Sequence, residues 1–265
     1  MPNFWAHRIC AGITLQRLEG TAAAEIIKNS AASYRLGSQG ADMMYFRPLQ
    51  FLRGHKGVTY HAKMLHSQPV MKLAAMSQRY LMGAAGKRQF ASTFAYVCGF
   101  LCHHAVDQKV HPFIDQRTSS LLRHRRIELD FDAYISHTLD IRPDRDNHHW
   151  TGMSGYIGFP GLAQWYNFMF HGLFSKRFTM RSYVKDYRAM RRMSGILDRP
   201  ARLEKQKHTE RPVLAMADLK AMLGAAMEGA WNAADMITAM YQALEPYIPA
   251  EVILPAEHAP QWAGI

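Results

Sequence analysis

Apolar residues recur at helical intervals along most of this chain, and alternating strand patterns of useful length are hard to find. A period near 3.6 rather than 2 restricts the fold to packed helices, because a half-buried strand must alternate its faces residue by residue. Candidate helices cover about 3–18, 22–35, 60–65, 70–82, 87–109, 123–138, 161–174, 180–193 and 215–244. Gly20-Thr21 separates the first two, Gly37 and Gly40 mark an ordered loop with the sequence GSQGADMMYF, and the tail beyond Pro246 is proline-rich and irregular. Residues 142–156 form a polar connection suited to roofing a site, and 197–212 is the weakest link. With no internal repeat and no clear linker, residues 1–265 are expected to form a single all-α domain, a multi-helix bundle.

Composition narrows the function. At 265 residues, 48% hydrophobic and 20% charged, the chain can bury a sizeable core and lies far from disordered compositions. The start, MPNFWAHRICAG, lacks a basic leader region, and its apolar residues are broken by Asn3, His7 and Arg8. The most apolar stretch, 90–106, is too short and too polar at its end to span a bilayer, so a cytoplasmic protein with no transmembrane segment is expected. Three cysteines make no disulfide framework. Cys98 and Cys102, four apart on a helix, are suited either to touching a metal or to packing as small buried side chains. The net charge of +11 favours an anionic partner, a phosphate ester, nucleic acid or anionic lipid. Residues 176–211 hold twelve Lys or Arg against four acids, a net +8, which serves an anionic polymer or membrane surface and solubility equally well.

The chemistry concentrates in GFLCHHAVDQKVHPFID, residues 99–115, where His103, Asp107 and His111 stand at i, i+4 and i+8 and share one helical face. Pro112 disfavours helix at the residue before it, which places His111 at a helix end. Shortly after, HRRIE sets His124 and Glu128 one turn apart. Imidazole nitrogen and carboxylate oxygen are Zn²⁺ ligands, and a rigid helix presents two of them at little entropic cost. His-Asp and His-Glu pairs at this spacing are also ordinary helix-surface pairs. Here, however, Asp107 follows the apolar run 94–106, and a buried carboxylate requires a partner.

The Gly-x-x-Gly-x-Asp loop GSQGAD, the Cys-His-x-x-x-Asp-x-x-x-His-Pro block and the His-x-x-x-Glu pair together resemble the zinc-dependent phospholipase C family, which is similar in fold to the S1/P1 nucleases. The resemblance covers about residues 1–138, with 139–265 as a helical completion. It implies an all-helical fold with a multi-zinc cleft holding two to three Zn²⁺ ions. On the family pattern Asp42, His66, His103 and Asp107 hold a first zinc, with Asp107 bridging to a second. His111, His124 and Glu128 hold another, and His7 with the chain's own amino terminus, Pro2 once Met1 is removed, completes the far side of Asp107. His55 and His61 stand near His66 as rivals; His66 is preferred because it follows Met64-Leu65 and precedes the turn-like Ser67-Gln68-Pro69. His104 is the rival of His103, but only His103 is four residues from Asp107. The choline-site residues of the phospholipase branch find no match.

This pattern implies a phosphodiester hydrolase acting on a phospholipid head group, nucleic acid or a smaller diester through a metal-activated water. Asp42 is the candidate catalytic residue, steering or deprotonating that water beside its ligand role. The alternative is a non-catalytic helical protein that binds nucleic acid or a membrane surface through 176–211 and keeps zinc for structure only. The surplus of ligands over one closed tetrahedron favours catalysis. Trp150, Tyr156, Trp165 and Tyr166 are available either to stack bases or line a lipid groove, or to fill the core.

Overall fold

The computed structural model of the chain describes residues 4–45, 59–118, 120–141, 159–197 and 213–252. Ten α-helices run through these segments: α1 (Phe4–Arg17), α2 (Ala22–Asn29), α3 (Ala31–Gly37), α4 (Thr59–His66), α5 (Val70–Met82), α6 (Phe90–Asp115), α7 (Leu121–Thr138), α8 (Phe159–Phe174), α9 (Met180–Leu197) and α10 (Met216–Leu244). A 3₁₀ turn, Gly40–Tyr45, follows α3, and two more, Glu245–Tyr247 and Ala250–Val252, stand where an irregular tail was expected. No strand occurs among the described residues, and the fold is all-α.

α6 is the axis of the molecule. Every residue from Thr93 to Asp107 is buried, so this helix is apolar all round and must be enclosed by others. α10 and α3 make its most extensive contacts, and α1, α2, α5 and α8 also pack on it. Buried apolar residues from α1 through α10 join into one connected cluster. The backbones of α3 and α6 come unusually close: a Cβ on Gly37 would lie 2.1 Å from the Tyr96 carbonyl oxygen, and one on Gly99 would lie 2.2 Å from that of Tyr34. Two glycines facing each other bring the GSQGAD loop against the histidine-bearing stretch of α6.

Local chemistry explains some of the helix ends. Thr21 caps α2 by accepting from the Ala24 amide at 3.2 Å, and Ser120 caps α7 by accepting from the Arg123 amide at 3.2 Å, one residue before His124. Gly20, at φ +81°, takes the turn between α1 and α2. Two expectations need correction. The single helix over 22–35 is broken at Ser30, beside Asn29, because such side chains compete with the helical backbone for hydrogen bonds. The break allows the Tyr34 hydroxyl to donate to the Ala11 carbonyl at 2.7 Å. The helix was also expected to end before Pro112, yet α6 continues to Asp115. The carbonyl that loses its donor belongs to Gln108, an exposed residue, so water can satisfy it. No described helix is long and apolar enough to cross a membrane.

Candidate metal centre

Four elements converge on Asp107. α1 brings His7, the 3₁₀ turn brings Asp42, the end of α4 brings His66, and α6 supplies His103, Asp107 and His111. α7 adds His124 and Glu128 at the edge. The donor atoms fall into three groups, the first two sharing His103: His7, His103 and Asp107; Asp42, His66 and His103; and His111, His124 and Glu128.

The two oxygens of Asp107 face different partners. Oδ2 lies 3.3 Å from His66 Nε2 and 3.4 Å from His103 Nε2. Oδ1 lies 3.1 Å from His7 Nε2 and 3.5 Å from His111 Nε2. Across the second group, His66 Nε2 is 3.1 Å from Asp42 Oδ1 and 3.2 Å from His103 Nε2, and His103 Nε2 is 3.9 Å from Asp42 Oδ1. In the third group His124 Nε2 sits 2.9 Å from Glu128 Oε1, and the His111 and His124 rings are 5.5 Å apart.

The histidine orientations have visible causes. His66 Nδ1 donates to the Ala62 carbonyl at 2.8 Å, and His103 Nδ1 to the Ser38 carbonyl at 3.2 Å. With the proton committed on that side, the Nε2 lone pair of each ring faces the cluster, which is the tautomer a metal requires. Gly40 makes room for His103. It sits at φ +54°, and a Cβ there would come within 2.1 Å of the imidazole Cδ2. The second half of the chain supports the same loop: the buried Tyr166 hydroxyl on α8 lies 3.3 Å from the Gly40 carbonyl, to which it donates, and 2.7 Å from the Tyr96 hydroxyl. Nothing in the residue pattern pointed to that role for Tyr166; it comes from packing alone. Tyr166 and Trp165 are both fully buried core residues rather than surface stacking groups.

The electrostatics are those of a crowded carboxylate cluster awaiting positive charge. Burial opposes ionisation of Asp107, but the imidazoles of His103, His111 and His7 around it hold its carboxyl well below the usual range. Asp42 is likewise held low, with burial outweighed by His103 and His66. Burial pulls His66 down, yet its hydrogen bonds to Asp107 and Asp42 leave it well above the ordinary imidazole value. For His111, burial is outweighed by Asp107, which lifts it to about 9. His103, by contrast, is pushed down to about 3 by burial and by His7 beside it. Without an ion, protons on His66 and His111 therefore supply the positive charge that the carboxylates demand.

The rivals separate cleanly. The ring of His61 packs on Phe170 at 4.9 Å and Phe178 at 6.1 Å, away from the donors, whereas His66 enters the cluster. His104 joins none of the groups; it is buried against Phe100 at 4.3 Å and the His66 ring at 4.8 Å. Cys98 and Cys102 are buried beside the site's supporting helices, with Cys102 Sγ 3.2 Å from the Thr14 hydroxyl, and neither belongs to a metal-competent group. Pro2, His55, Trp150, Tyr156 and the connections 142–156 and 198–212 lie outside the described residues.

A pocket enclosing about 330 Å³, part of it open to solvent, reaches the cluster between α1, α6 and α7. Its lining combines the polar His7, Asp42, Asp107, His111 and Glu128 with the apolar Val106, Val110, Ile114 and Phe131. A family model described as zinc dependent phospholipase C matches residues 6–159, more than half of the chain and past the 138 residues over which the motifs run. No curated protein and no solved structure matches it.

Proposed function

The chain belongs to the zinc-dependent phospholipase C family, and from that membership we propose that it hydrolyses phosphodiesters at the centre around Asp107. One observation carries the assignment of residues. A tetrahedral zinc with bonds of about 2.0–2.1 Å sets donor-to-donor edges of about 3.3–3.4 Å. Among Asp42 Oδ1, His66 Nε2, His103 Nε2 and Asp107 Oδ2, four separations lie at 3.1, 3.2, 3.3 and 3.4 Å and a fifth at 3.9 Å. These four residues would hold one zinc, Asp107 together with His7 would hold a second, and His111, His124 and Glu128 would hold a third.

When bound, zinc supplies Lewis acidity, making water more acidic and drawing negative charge off a phosphoryl oxygen. The protein's own residues do the rest. Asp42, ionised at neutral pH because its pKa is held low, accepts a hydrogen bond from water and orients it more effectively than it removes its proton. The carbonyls of Ala62 and Ser38 fix His66 and His103. Val106, Val110, Ile114 and Phe131 in the lining lower the local dielectric, which strengthens the charge interactions in the pocket.

The whole chain acts as one domain in this reading, since α8 supports the Asp42 loop and the buried apolar residues are connected throughout. A phospholipid head group is the preferred substrate over nucleic acid because about half of the residues lining the pocket are apolar. Attraction to an anionic surface has its own support: Arg181, Lys185 and Arg188 are exposed along one stripe of α9, at i, i+4 and i+7, with exposed Arg177 just before it.

The test is hydrolysis by chelator-treated protein, with and without added zinc, of a phosphatidylcholine analogue, a chromogenic diester and single-stranded DNA. Zinc-restored cleavage of the lipid analogue is the expected result. Cleavage of DNA alone would move the assignment to a nuclease-like activity. Zinc binding with no cleavage of any diester would favour the non-catalytic alternative.

A further inference from the structure

His66 and His103 have their outward ring nitrogens tied to main-chain carbonyls, but His7 does not. Its Nδ1 is buried and has no hydrogen-bond partner among the described residues. A ring with no such tether depends on its backbone for position, and metal–ligand distances tolerate errors of only about 0.2 Å. The backbone in question is the first turn of α1, whose amides have no acceptor within their own helix.

We propose that Asp132 is the positioning residue for His7, a role that rests on the zinc reading of the cluster. Asp132 Oδ1 accepts from the Ala6 amide at 2.6 Å, a buried contact between residues 126 positions apart in the chain. Ala6 is the residue directly before His7, so the clamp is one peptide from the ligand's Cα. The charge suits the place: a carboxylate at a helix amino terminus meets the positive end of the helix dipole, and a charge-assisted hydrogen bond is roughly twice as strong as a neutral one.

The topology gives the clamp its purpose. His124, Glu128 and Asp132 stand at i, i+4 and i+8 of α7, so one helical face presents two donors of the third group and then fixes the segment that carries His7. The later turns of α1 have other anchors. The Tyr34 hydroxyl donates to the Ala11 carbonyl at 2.7 Å, and the Thr14 hydroxyl to the Ala230 carbonyl at 3.0 Å. Removing the Asp132 carboxylate therefore frees the first turn while the helix stays docked.

Zinc content and zinc competition against a chromogenic chelator, measured on full-length protein, read this directly. Asp132→Ala is expected to weaken one ion by about 10–100-fold, the scale of lost ligand-supporting contacts, and to leave the others alone. The ion lost is the one lost by His7→Ala, and combining the two changes loses no further equivalent. Asp132→Asn, which keeps an acceptor oxygen, restores most of the affinity. If Asp132→Ala does not fold, Ala6→Pro removes the donated N–H instead, within a first turn that tolerates proline. Zinc-bound wild type alongside a variant that keeps every ion at full affinity, or loses all of them alike, overturns the role of Asp132 alone. Wild-type protein that binds no zinc overturns the centre itself, and this role with it.

Discussion

Asp107 turns its two oxygens toward different sets of imidazoles, His66 and His103 on one side and His7 and His111 on the other. Asp107→Ala is accordingly expected to release more than one zinc per chain, by metal analysis of protein purified without strong chelators. Release of one or none would remove the bridge from the proposal. Gly40 is the second sensitive residue. Gly40→Ala combines a left-handed backbone with a Cβ 2.1 Å from the His103 ring, so a loss of about 2–4 kcal/mol in chemical denaturation is expected. A wild-type denaturation midpoint with wild-type zinc would show that the ring moves aside freely. Both residues stand in motifs visible in the sequence, but the reason for the glycine does not: it lies in a histidine 63 positions away.

At the scale of elements, the exposed stripe on α9 contributes no residue to the lining of the pocket, although α9 packs against the 3₁₀ turn that carries Asp42. Replacing Arg181, Lys185 and Arg188 together with Gln should weaken binding to phosphatidylcholine vesicles containing phosphatidylglycerol and flatten its salt dependence. Turnover of a small chromogenic diester should change less than about twofold, since none of the three lines the pocket and exposed charges are screened over about 10 Å at 0.1 M salt. A collapse of small-substrate turnover in a folded variant would bring these side chains into the active site. The helices themselves were largely legible: the 3.6 period placed α5 at its observed limits and most others within a few residues. Of the two departures, the break at Ser30 follows local propensity, whereas at Pro112 tertiary enclosure outweighed it. α6 is enclosed so completely that one lost backbone bond near its exposed end does not stop it.

For the whole molecule, ion and protons compete for the same cluster, and stability should record it. In metal-free protein His103, held to about 3, and His104, held well below its ordinary value by burial, stay neutral when folded. The unfolded chain takes up those protons below about pH 6.5, so stability falls as pH drops from there. His111 acts with the opposite sign. Its folded value of about 9 contributes stability that is fully present below about pH 6.5 and is lost as pH rises through 9. Thermal melts of chelated protein are thus expected to peak between these limits, and zinc should raise the melting temperature and widen the plateau on its alkaline side, where it replaces the departing proton. A melting temperature of the chelated protein that keeps rising above pH 9 would contradict the assigned protonation of His111.

What the sequence determined by itself was the helical class, from the period of its apolar residues, and the donor pairs that sit one turn apart on a single helix, because spacings of four fix neighbours within any α-helix. His103 with Asp107 and His124 with Glu128 needed no fold to be recognised as pairs. Which pairs meet was decided only by the tertiary structure. His7, Asp42 and His66 reach Asp107 from three other elements, and the choice of His66 over His61 turned on which ring faces the donors and which packs on Phe170. The supporting contacts are further from view: Tyr166 on the Gly40 carbonyl and Asp132 on the Ala6 amide join residues 126 positions apart in each case. Side chain to backbone bonds of this kind leave no spacing to read, since a main-chain carbonyl or amide carries no residue identity, and only packing reveals which one a buried hydroxyl or carboxylate has found.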